Sequence, residues 1–352
     1  MVVGTLTLRQ FRSYANLELG LEPGLVLAVG PNGAGKTNLL EALHVGTQGF
    51  SPRTRTDAQL IRFGETAARV ELRGEREGAP VELQVTLRTN EPKHALLNGS
   101  RLGAAEQLRS EVATLVFTPD RLAVVKGGPA ARRAYFDRVV GRLSPARGGL
   151  SAEYGAAVAQ RNASLRRVAS GFSSRDALAP WTERVADLGA RLVEARVRAI
   201  GELSPRFAER AEELGLSSGR LEYAGGPPSR EALEARIDRD LERGVTGLGP
   251  HLDDVAVASG ARDLRAFGSQ GEQRLAVLSL LLAEYELLAA SGRTPLLLLD
   301  DVLSELDEAR RGILVERIRS SGQTFVTATS AGALPSAPDQ LIEVRPGAAR
   351  VA

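Results

Sequence analysis

The chain has 352 residues, of which 43% are hydrophobic and 25% are charged, and its formal net charge at pH 7 is +2. This length and composition predict a globular protein with a buried core, arranged as two domains or as one large domain with an insertion. No apolar run is long enough to cross a membrane, and the absence of cysteine excludes disulfides, thiol catalysis and cysteine-ligated zinc. No signal peptide is recognisable, so we expect a cytoplasmic protein without a membrane partner.

The first informative motif is GPNGAGKT at residues 30–37, which follows an apolar run typical of a buried strand. It fits G-x-x-x-x-G-K-S/T, the phosphate-binding loop of nucleotide hydrolases. Its glycines allow backbone N–H groups to surround phosphates, Lys36 can reach the β- and γ-phosphates, and Thr37 can ligate Mg²⁺. The helix predicted from residue 38 onwards adds a positive N-terminus. The nucleotide is therefore expected to contact Gly30, Pro31, Asn32, Gly33, Ala34, Gly35, Lys36, Thr37 and Asn38.

The stretch after this helix predicts a basic loop and then an antiparallel sheet. The loop contains Arg53 and Arg55. From about residue 66 to 102, apolar and polar residues alternate, which is typical of half-buried strands. The Asn-Gly pair at residues 98–99 favours a type I′ hairpin inside this region.

Residues 129–248 differ from the rest because Ala, Leu, Arg and Glu recur there at helical spacing, which predicts a helical insertion. Basic residues cluster near its start, where five arginines and one acidic residue fall within residues 132–147. Two interpretations stay open: a solvated helix face, or a surface that contacts DNA phosphates. The arginines considered for DNA are Arg132, Arg133 and Arg138 in this stretch, together with Arg53 and Arg55 in the earlier basic loop.

A second motif with phosphate chemistry is FGSQGEQR at residues 267–274. It opens a helix that is apolar on nearly all sides and is therefore expected to be buried. The Ser269 hydroxyl, the N–H groups around Gly271 and the helix start could together bind phosphate. The preceding GPHLDD contains His251 beside two carboxylates, but a second ligating histidine nearby is missing, so we expect a hydrogen-bonded turn there.

The motif LLLLDD at residues 296–301 predicts a parallel strand that is buried on both faces and ends in two carboxylates. Ligands bind at this edge of α/β sheets, so the strand can lie near the phosphate loop despite the sequence separation. Asp300 would then hold Mg²⁺, and Asp301 would orient or deprotonate the attacking water. An acidic residue at this position could instead cap a helix or form a salt bridge.

Four ordered motifs, GPNGAGKTN, SQGEQ, LLLLDD and SELD, resemble those of ABC-type ATPase heads. Further segments, FRSY, VFTPDRLAVVKGGPAARRAYFD, GPHLDD and FGSQGEQR, narrow the resemblance to the SMC-related RecF family of bacterial recombination mediators. The resemblance implies an α/β fold: an ABC-type P-loop ATPase head, made of a mixed sheet with an antiparallel β subdomain, plus an inserted helical arm. The head would comprise residues 1–128 and 249–352, and the arm residues 129–248.

The same resemblance implies an activity and partners. RecF-like proteins dimerise head to tail when they bind ATP, prefer duplex DNA at gap junctions, and hydrolyse ATP slowly in a DNA-stimulated reaction. They act with RecR and RecO to load RecA. The distance along the chain between the two phosphate-binding motifs independently favours such a dimer, because one nucleotide could not easily reach both within one chain.

Residue roles carry over from the family motif by motif. Lys36, Asp300 and Asp301 would be catalytic, and Thr37 and Asp300 would hold Mg²⁺. The other positions implied by the resemblance are Ser269 and Gly271 on the partner's γ-phosphate, Arg12 near the nucleotide, and Asp307 at the dimer seam.

The chain also departs from the motifs of these families at several positions. ABC transporters usually carry Glu where Asp301 stands and a His within residues 327–329, so fast turnover and a transport ATPase are disfavoured. Leu252 stands where the family motif would have Arg. The sequence does not identify the glutamine of the usual Mg²⁺-sensing loop, and Gln59 and Gln107 are candidates only by default. Two alternatives are a transporter ATPase, which needs a membrane-domain partner, and a P-loop kinase, which leaves SQGEQ and SELD unexplained.

Overall fold

The computed structural model describes residues 1–54, 56–319 and 322–352. The chain divides into two compact units: Met1–Arg121 together with Leu288–Ala352, and Leu122–Leu287. The boundaries expected from the sequence, at residues 128 and 249, stay a prediction. No helix among the described residues is both long enough and apolar enough to cross a membrane.

The strands are β1 (Val2–Phe11), β2 (Tyr14–Gly20), β3 (Leu25–Val29), β4 (Ala67–Arg76), β5 (Ala79–Arg88), β6 (Glu91–Leu97), β7 (Ser100–Arg101), β8 (Thr114–Phe117), β9 (Gly219–Ala224), β10 (Asp254–Ser259), β11 (Arg262–Asp263), β12 (Leu296–Leu299), β13 (Thr324–Ala328), β14 (Gln340–Arg345) and β15 (Ala348–Val351). The helices are α1 (Lys36–Gln48), α2 (Leu108–Glu111), α3 (Ala123–Lys126), α4 (Pro129–Leu143), α5 (Leu150–Ala169), α6 (Ala179–Glu213), α7 (Arg230–Glu234), α8 (Ile237–Arg243), α9 (Leu264–Phe267), α10 (Gln270–Ala290) and α11 (Glu308–Arg319).

The first unit contains a mostly parallel sheet in the order β15-β14-β3-β13-β12-β8, in which only β15 runs antiparallel to its neighbour. The four leucines of β12 are buried, as expected for a strand covered on both faces. Strand β13 lies between β3 and β12, with Val326 opposite both Leu27 and Leu299. The phosphate loop and the LLLLDD motif therefore leave the same edge of the sheet, one strand apart.

The second sheet of this unit is antiparallel, in the order β2-β1-β4-β5-β6-β7. It is larger than the subdomain expected at about residues 66–102, because the first two strands of the chain join it. The hairpin predicted at residues 98–99 is present between β6 and β7. Asn98 and Gly99 both have positive φ, +49° and +78°, as a type I′ turn requires.

Helix α1 lies between these two sheets and carries the phosphate loop at its N-terminus. Gly46 allows close contact with the antiparallel sheet, since a Cβ there would lie 2.6 Å from a methyl carbon of Leu72. On the other side, the Thr114 hydroxyl of the parallel sheet donates to that of Thr47 at 3.0 Å. The loop is thus anchored to a helix that is held from both sides.

The second unit consists of helices and a small sheet in the order β11-β10-β9. Strand β9 is not expected from the sequence, because its six residues lie within residues 129–248, where the pattern predicts helices. It pairs along its whole length with β10. Deep in this unit, the fully buried Arg161 donates to Asp240 at 2.7 Å, to Thr246 at 2.9 Å and to Thr182 at 3.1 Å.

Candidate functional site

The phosphate loop connects β3 to α1 and has a backbone that only glycine adopts readily. Gly33 and Gly35 have φ values of +81° and +110°. A Cβ on Gly35 would also lie 2.8 Å from the hydroxyl oxygen of Tyr14, and one on Gly30 would lie 2.3 Å from the Val344 carbonyl oxygen. The glycines of the motif therefore reflect both backbone conformation and close packing.

The Lys36 ammonium group lies over the loop, where it donates to the carbonyl oxygens of Gly30 at 2.7 Å and Pro31 at 3.0 Å. Its side chain is largely buried and belongs to the first turn of α1. A lysine, a positive helix end and the turned backbone of the loop converge here, which is the donor set that a polyphosphate requires. The residues present thus fit a bound nucleoside triphosphate.

Asp300, the first residue after β12, is joined to the phosphate loop. Its Oδ1 accepts hydrogen bonds from the hydroxyls of Thr37 at 3.0 Å and Thr327 at 2.7 Å. The structure thus brings together the two ends of the chain that the sequence placed 263 residues apart. A threonine hydroxyl beside a carboxylate, next to a phosphate loop, also matches the donor set for Mg²⁺ in P-loop hydrolases.

The surroundings of Asp300 have opposing effects on the pKa of its carboxyl group. Burial raises the pKa of this carboxyl above its ordinary value, because water no longer solvates the charge. Hydrogen bonds from Thr327 and Thr37 and the positive field of Arg53 oppose that shift. These three groups favour the ionised form.

Asp301 adopts the left-handed conformation, with φ of +50° and ψ of +28°, which is uncommon for a residue with a side chain. Its backbone N–H donates to the Thr327 hydroxyl at 2.9 Å, and its carbonyl accepts from Ser304 at 2.9 Å. Its side chain is half-exposed rather than buried. The second carboxylate of the motif is therefore held at its backbone and remains partly accessible to solvent.

Arg12 borders a cleft together with Asn38, and a buried partner fixes its position. Its guanidinium donates two 2.8 Å hydrogen bonds to Glu41 on α1 and a third of 2.8 Å to the Gln59 carbonyl. Arg53 also approaches Glu41, at 3.5 Å. These residues border a cleft of 630 Å³ whose lining also includes Ser13 and Asn38.

Ser269 and Gly271 belong to the second unit and begin α10. The Ser269 side chain accepts from the N–H of Glu272 at 3.2 Å, and Glu272 accepts from the N–H of Ser269 at 2.8 Å. This reciprocal pair is a capping box. The backbone bond at Ser269 is the main reason why the pKa of Glu272 is lowered. Ser269 and Gly271 are both exposed.

The structure corrects one predicted DNA contact. Arg132 is only 2% exposed, and its guanidinium is held by Asp254, with distances of 2.7 and 2.5 Å, and by the Gly127 carbonyl at 2.7 Å. A side chain in this position is not available to a DNA phosphate. The sequence pattern could not reveal this, because the partner lies 122 residues away.

The other arginines considered for DNA differ in exposure. Arg53 and Arg138 are exposed, whereas Arg133 is half-buried and donates to the Asp253 carbonyl at 2.6 Å. Arg55 lies outside the described residues. The basic stretch is also less positive than its sequence suggests, since Arg142 pairs with the buried Glu284.

Three further sequence candidates are placed as follows. Gln59 borders the cleft beside the phosphate loop, whereas the side chain of Gln107 accepts from the backbone of Gly103 at 3.0 Å. Leu252 is 57% exposed. Asp307 caps α11 by accepting from the Arg310 N–H at 2.9 Å, so a helix-capping function is present at that position.

Sequence analysis missed two residues that organise the site. Thr327 was noted only as part of a segment lacking histidine, and Glu41 only as part of a predicted helix. The pattern NLLEAL offered a weak signal for Glu41, since it places one acidic residue within an otherwise apolar helix. No local signal marks Thr327, because its importance depends on the neighbouring strands.

Comparison with known proteins identifies the family. Residues 2–351 match the family described as RecF/RecN/SMC N terminal domain. The chain is 34% identical to the DNA replication and repair protein RecF of Heliobacterium modesticaldum, covering 97% of this chain and 95% of the relative. It is 38% identical to RecF of Acidothermus cellulolyticus, covering 93% of each protein.

Solved structures agree with this assignment. A structure of the recombination mediator protein RecF-ATP in the RecFOR pathway matches with a TM-score of 0.90 and 26% identity, covering 99% of this chain and 97% of that one. An Smc head bound to the C-winged helix domain of ScpA matches with a TM-score of 0.61 and 17% identity, over 100% and 97%. That second likeness shows the fold alone. The expected ABC-type head fold is thereby confirmed, and the chain belongs to the RecF family of DNA replication and repair proteins.

Proposed function

We propose that this protein is an ATP-dependent DNA-binding recombination mediator of the RecFOR pathway. The observation that carries the proposal is the 3.0 Å hydrogen bond from Thr37 to Asp300, which joins the phosphate loop to the carboxylate strand. A solved structure that is 26% identical to this chain is described as RecF-ATP. A second relative, covering 99% of this chain, is described with ATPrS in the same pathway.

The loop residues Gly30, Pro31, Asn32, Gly33, Ala34, Gly35, Lys36, Thr37 and Asn38 would hold the triphosphate of ATP. Lys36, which donates to loop carbonyls, has a flexible stem that can turn its ammonium group to phosphate oxygens. Arg12, fixed by Glu41, would lie near the nucleotide. Thr37 and Asp300 would hold Mg²⁺, which would supply positive charge to offset the negative charge of the phosphates.

Asp301 would be the carboxylate that orients or deprotonates the attacking water. Its side chain is half-exposed, and its backbone is held by Thr327. An aspartate is one methylene shorter than the glutamate usual at this position in transporters, which favours slow turnover. ATP hydrolysis would therefore be a slow, DNA-stimulated reaction that limits the lifetime of the DNA-bound state.

The exposed N-terminus of α10 would bind the γ-phosphate of ATP held by a second copy. Ser269 supplies a hydroxyl, Gly271 leaves room around the helix start, and the helix is 21 residues long. In a symmetric dimer each chain supplies one phosphate loop and one such helix end, giving two equivalent composite sites. ADP lacks the linking phosphate and would not support this dimer.

The dimer would bind duplex DNA, with a preference for gap junctions, and would act with RecR and RecO in loading RecA. This part of the proposal rests on family membership. The candidates for phosphate contacts are Arg53, Arg55, Arg133 and Arg138. Arg132 is not among them because it is buried. Such contacts would give affinity without base-sequence preference.

Sedimentation velocity with ATP, ADP and a non-hydrolysable ATP analogue, combined with gel shifts on gapped, duplex and single-stranded DNA, tests the proposal. We expect a dimer with ATP and with the analogue, a monomer with ADP, and tight binding only of DNA containing duplex in the dimeric state. A protein that stays monomeric with the analogue yet gains DNA affinity would contradict the dimer, and ATP would then act within one chain.

A further inference from the structure

Thr327 occupies a central place in the parallel sheet. It lies on β13, between the strand that leads into the phosphate loop and the strand that ends at Asp300. Its side chain is fully buried. The Thr327 hydroxyl contacts both consecutive carboxylate residues: it donates to Asp300 at 2.7 Å and accepts the N–H of Asp301 at 2.9 Å.

The direction of these two hydrogen bonds is fixed by chemistry. A threonine hydroxyl carries one hydrogen and two lone pairs. The N–H of Asp301 can only donate, so the single hydrogen of Thr327 is directed to the Asp300 carboxylate. Thr37 donates to the same oxygen, Oδ1, at 3.0 Å, so two hydroxyls from different elements fix the orientation of this carboxylate.

The bond to Asp301 has a different effect. Asp301 is in the left-handed region, with φ of +50°, which residues with a side chain rarely adopt. The hydroxyl of Thr327 holds its N–H at 2.9 Å and thereby stabilises this conformation. The direction in which the Asp301 carboxylate leaves the chain depends on that conformation.

We propose that Thr327 is a positioning residue of the ATPase site. Its hydroxyl orients Asp300 toward the place of Mg²⁺ and fixes the backbone from which Asp301 projects, without touching the nucleotide itself. This inference rests on the proposed function. It implies that loss of the hydroxyl impairs hydrolysis and the use of Mg²⁺, while nucleotide binding that does not need Mg²⁺ is spared.

The same strand contains a matched control. Thr324 is also fully buried on β13, and its hydroxyl oxygen has no hydrogen-bond partner among the described residues. Valine has nearly the shape of threonine and suits a strand equally well. Thr327→Val and Thr324→Val therefore make the same chemical change in the same strand, and only the first removes the two bonds at the carboxylates.

The experiment compares the wild type with Thr327→Val, Thr327→Ser and Thr324→Val. For each we would measure kcat and KM for ATP, the affinity for a fluorescent ATP analogue in EDTA, the Mg²⁺ dependence of that affinity, and thermal unfolding. Thr327→Val should lower kcat at least about tenfold, because it removes hydrogen bonds to charged and constrained groups. Its Mg²⁺ requirement should rise severalfold, while its affinity in EDTA and its KM stay close to those of the wild type.

The controls define the outcomes. Thr327→Ser keeps the hydroxyl and should retain most of the activity, and Thr324→Val should match the wild type. The inference is overturned if the two valine variants share the same kcat and Mg²⁺ dependence. It is also overturned if Thr327→Val loses affinity in EDTA and thermal stability in proportion to its activity, which would indicate a general structural role. Failure of the wild type to bind ATP would instead overturn the proposed function itself, and with it this assignment.

Discussion

Arg12 and Glu41 form a two-bonded ion pair in which both hydrogen bonds, Nε to Oε2 and Nη2 to Oε1, are 2.8 Å long. Glu41 is fully buried, whereas the Arg12 side chain is 22% exposed, so the pair connects the interior of the first unit to the cleft beside the phosphate loop. The Ser51 hydroxyl donates to the same carboxylate at 2.6 Å. One buried acid thus holds two loop segments next to the nucleotide-binding helix.

Replacing Glu41 with alanine should destabilise the protein strongly. The change leaves the Arg12 guanidinium without its main partner, and breaking a buried pair from one side costs about 3–5 kcal/mol. Urea unfolding of Glu41→Ala should show this loss, and ATP affinity should fall as Arg12 leaves its position. The matched control is Glu343→Ala, which breaks an exposed pair with Arg350 and should leave the urea midpoint nearly unchanged. Equal effects of the two changes would contradict the role given to Glu41.

Lys36 and Asp300 should have separable effects on ATP. Lys36→Ala removes the cation of the phosphate loop, and losing charge-assisted hydrogen bonds should weaken ATP binding at least about tenfold. Asp300→Asn keeps the shape of the side chain and should spare much of the binding but lose Mg²⁺-dependent hydrolysis. Equilibrium binding and phosphate release measure the two quantities, with the exposed Lys126→Ala as control. Full hydrolysis by Asp300→Asn would remove this residue from the metal site.

The sequence was sufficient to predict structure where a local pattern of residues determines it. The buried run of β12, the phosphate loop and the hairpin at Asn98 each follow from consecutive residues, and the structure contains all three. It was insufficient where a residue depends on distant partners. Thr327 reaches Asp300 only because β13 lies between β3 and β12, and the buried Arg132 pairs with Asp254, which lies 122 residues away in the sequence.

Salt dependence should separate the exposed arginines from the buried one. Each phosphate contact contributes about −0.9 to the slope of log affinity against log salt concentration for duplex DNA. If Arg53 or Arg138 makes such a contact, its replacement by alanine should flatten the slope by about that amount. Arg132→Ala should leave the slope unchanged and instead lower stability, because Asp254 loses its partner. Anisotropy titrations on duplex DNA between low and moderate salt, with urea unfolding in parallel, measure both effects. A flattened slope for Arg132→Ala alone would reverse this assignment.

His251 should make the stability of the protein depend on pH. Its Nε2 donates to the Thr246 carbonyl at 2.9 Å, because that oxygen can only accept, and its Nδ1 accordingly accepts from the Tyr154 hydroxyl at 2.8 Å. Burial lowers the pKa of His251 below its ordinary value, with the positive charge of Arg133 acting in the same direction. The fold therefore favours the neutral imidazole. Burial also raises the pKa of Tyr154, so its hydroxyl stays protonated as a donor.

The direction of this pH dependence follows from the linkage between proton binding and folding. A group whose pKa is lower in the folded state than in the unfolded state, where it is about 6.5, contributes stability that is complete above that pH. This contribution is lost as the pH falls through about 6.5 toward the pKa of the folded state. The melting temperature of the wild type should therefore fall more between pH 7.5 and 5.5, taken as roughly one unit on either side of that value, than the melting temperature of His251→Gln. Parallel pH profiles for the two proteins would show that His251 does not titrate on unfolding.

Ser269→Arg should separate ATP binding from dimerisation. Ser269 is exposed at the start of α10 and is not part of the phosphate-loop motif, so the variant should bind ATP with wild-type affinity. In the proposed dimer the arginine would project into the γ-phosphate site of the other chain and would replace the serine cap of the helix. The capping box loses one of its two bonds, and cap losses cost only about 1 kcal/mol, so the fold should survive.

A control, Ser269→Ala, loses the same capping bond without adding bulk. We expect Ser269→Arg to remain monomeric in sedimentation runs with ATP and to lose ATP-dependent DNA binding, while Ser269→Ala retains at least part of both. A dimeric, DNA-binding Ser269→Arg protein would mean that the helix end does not face the partner's nucleotide.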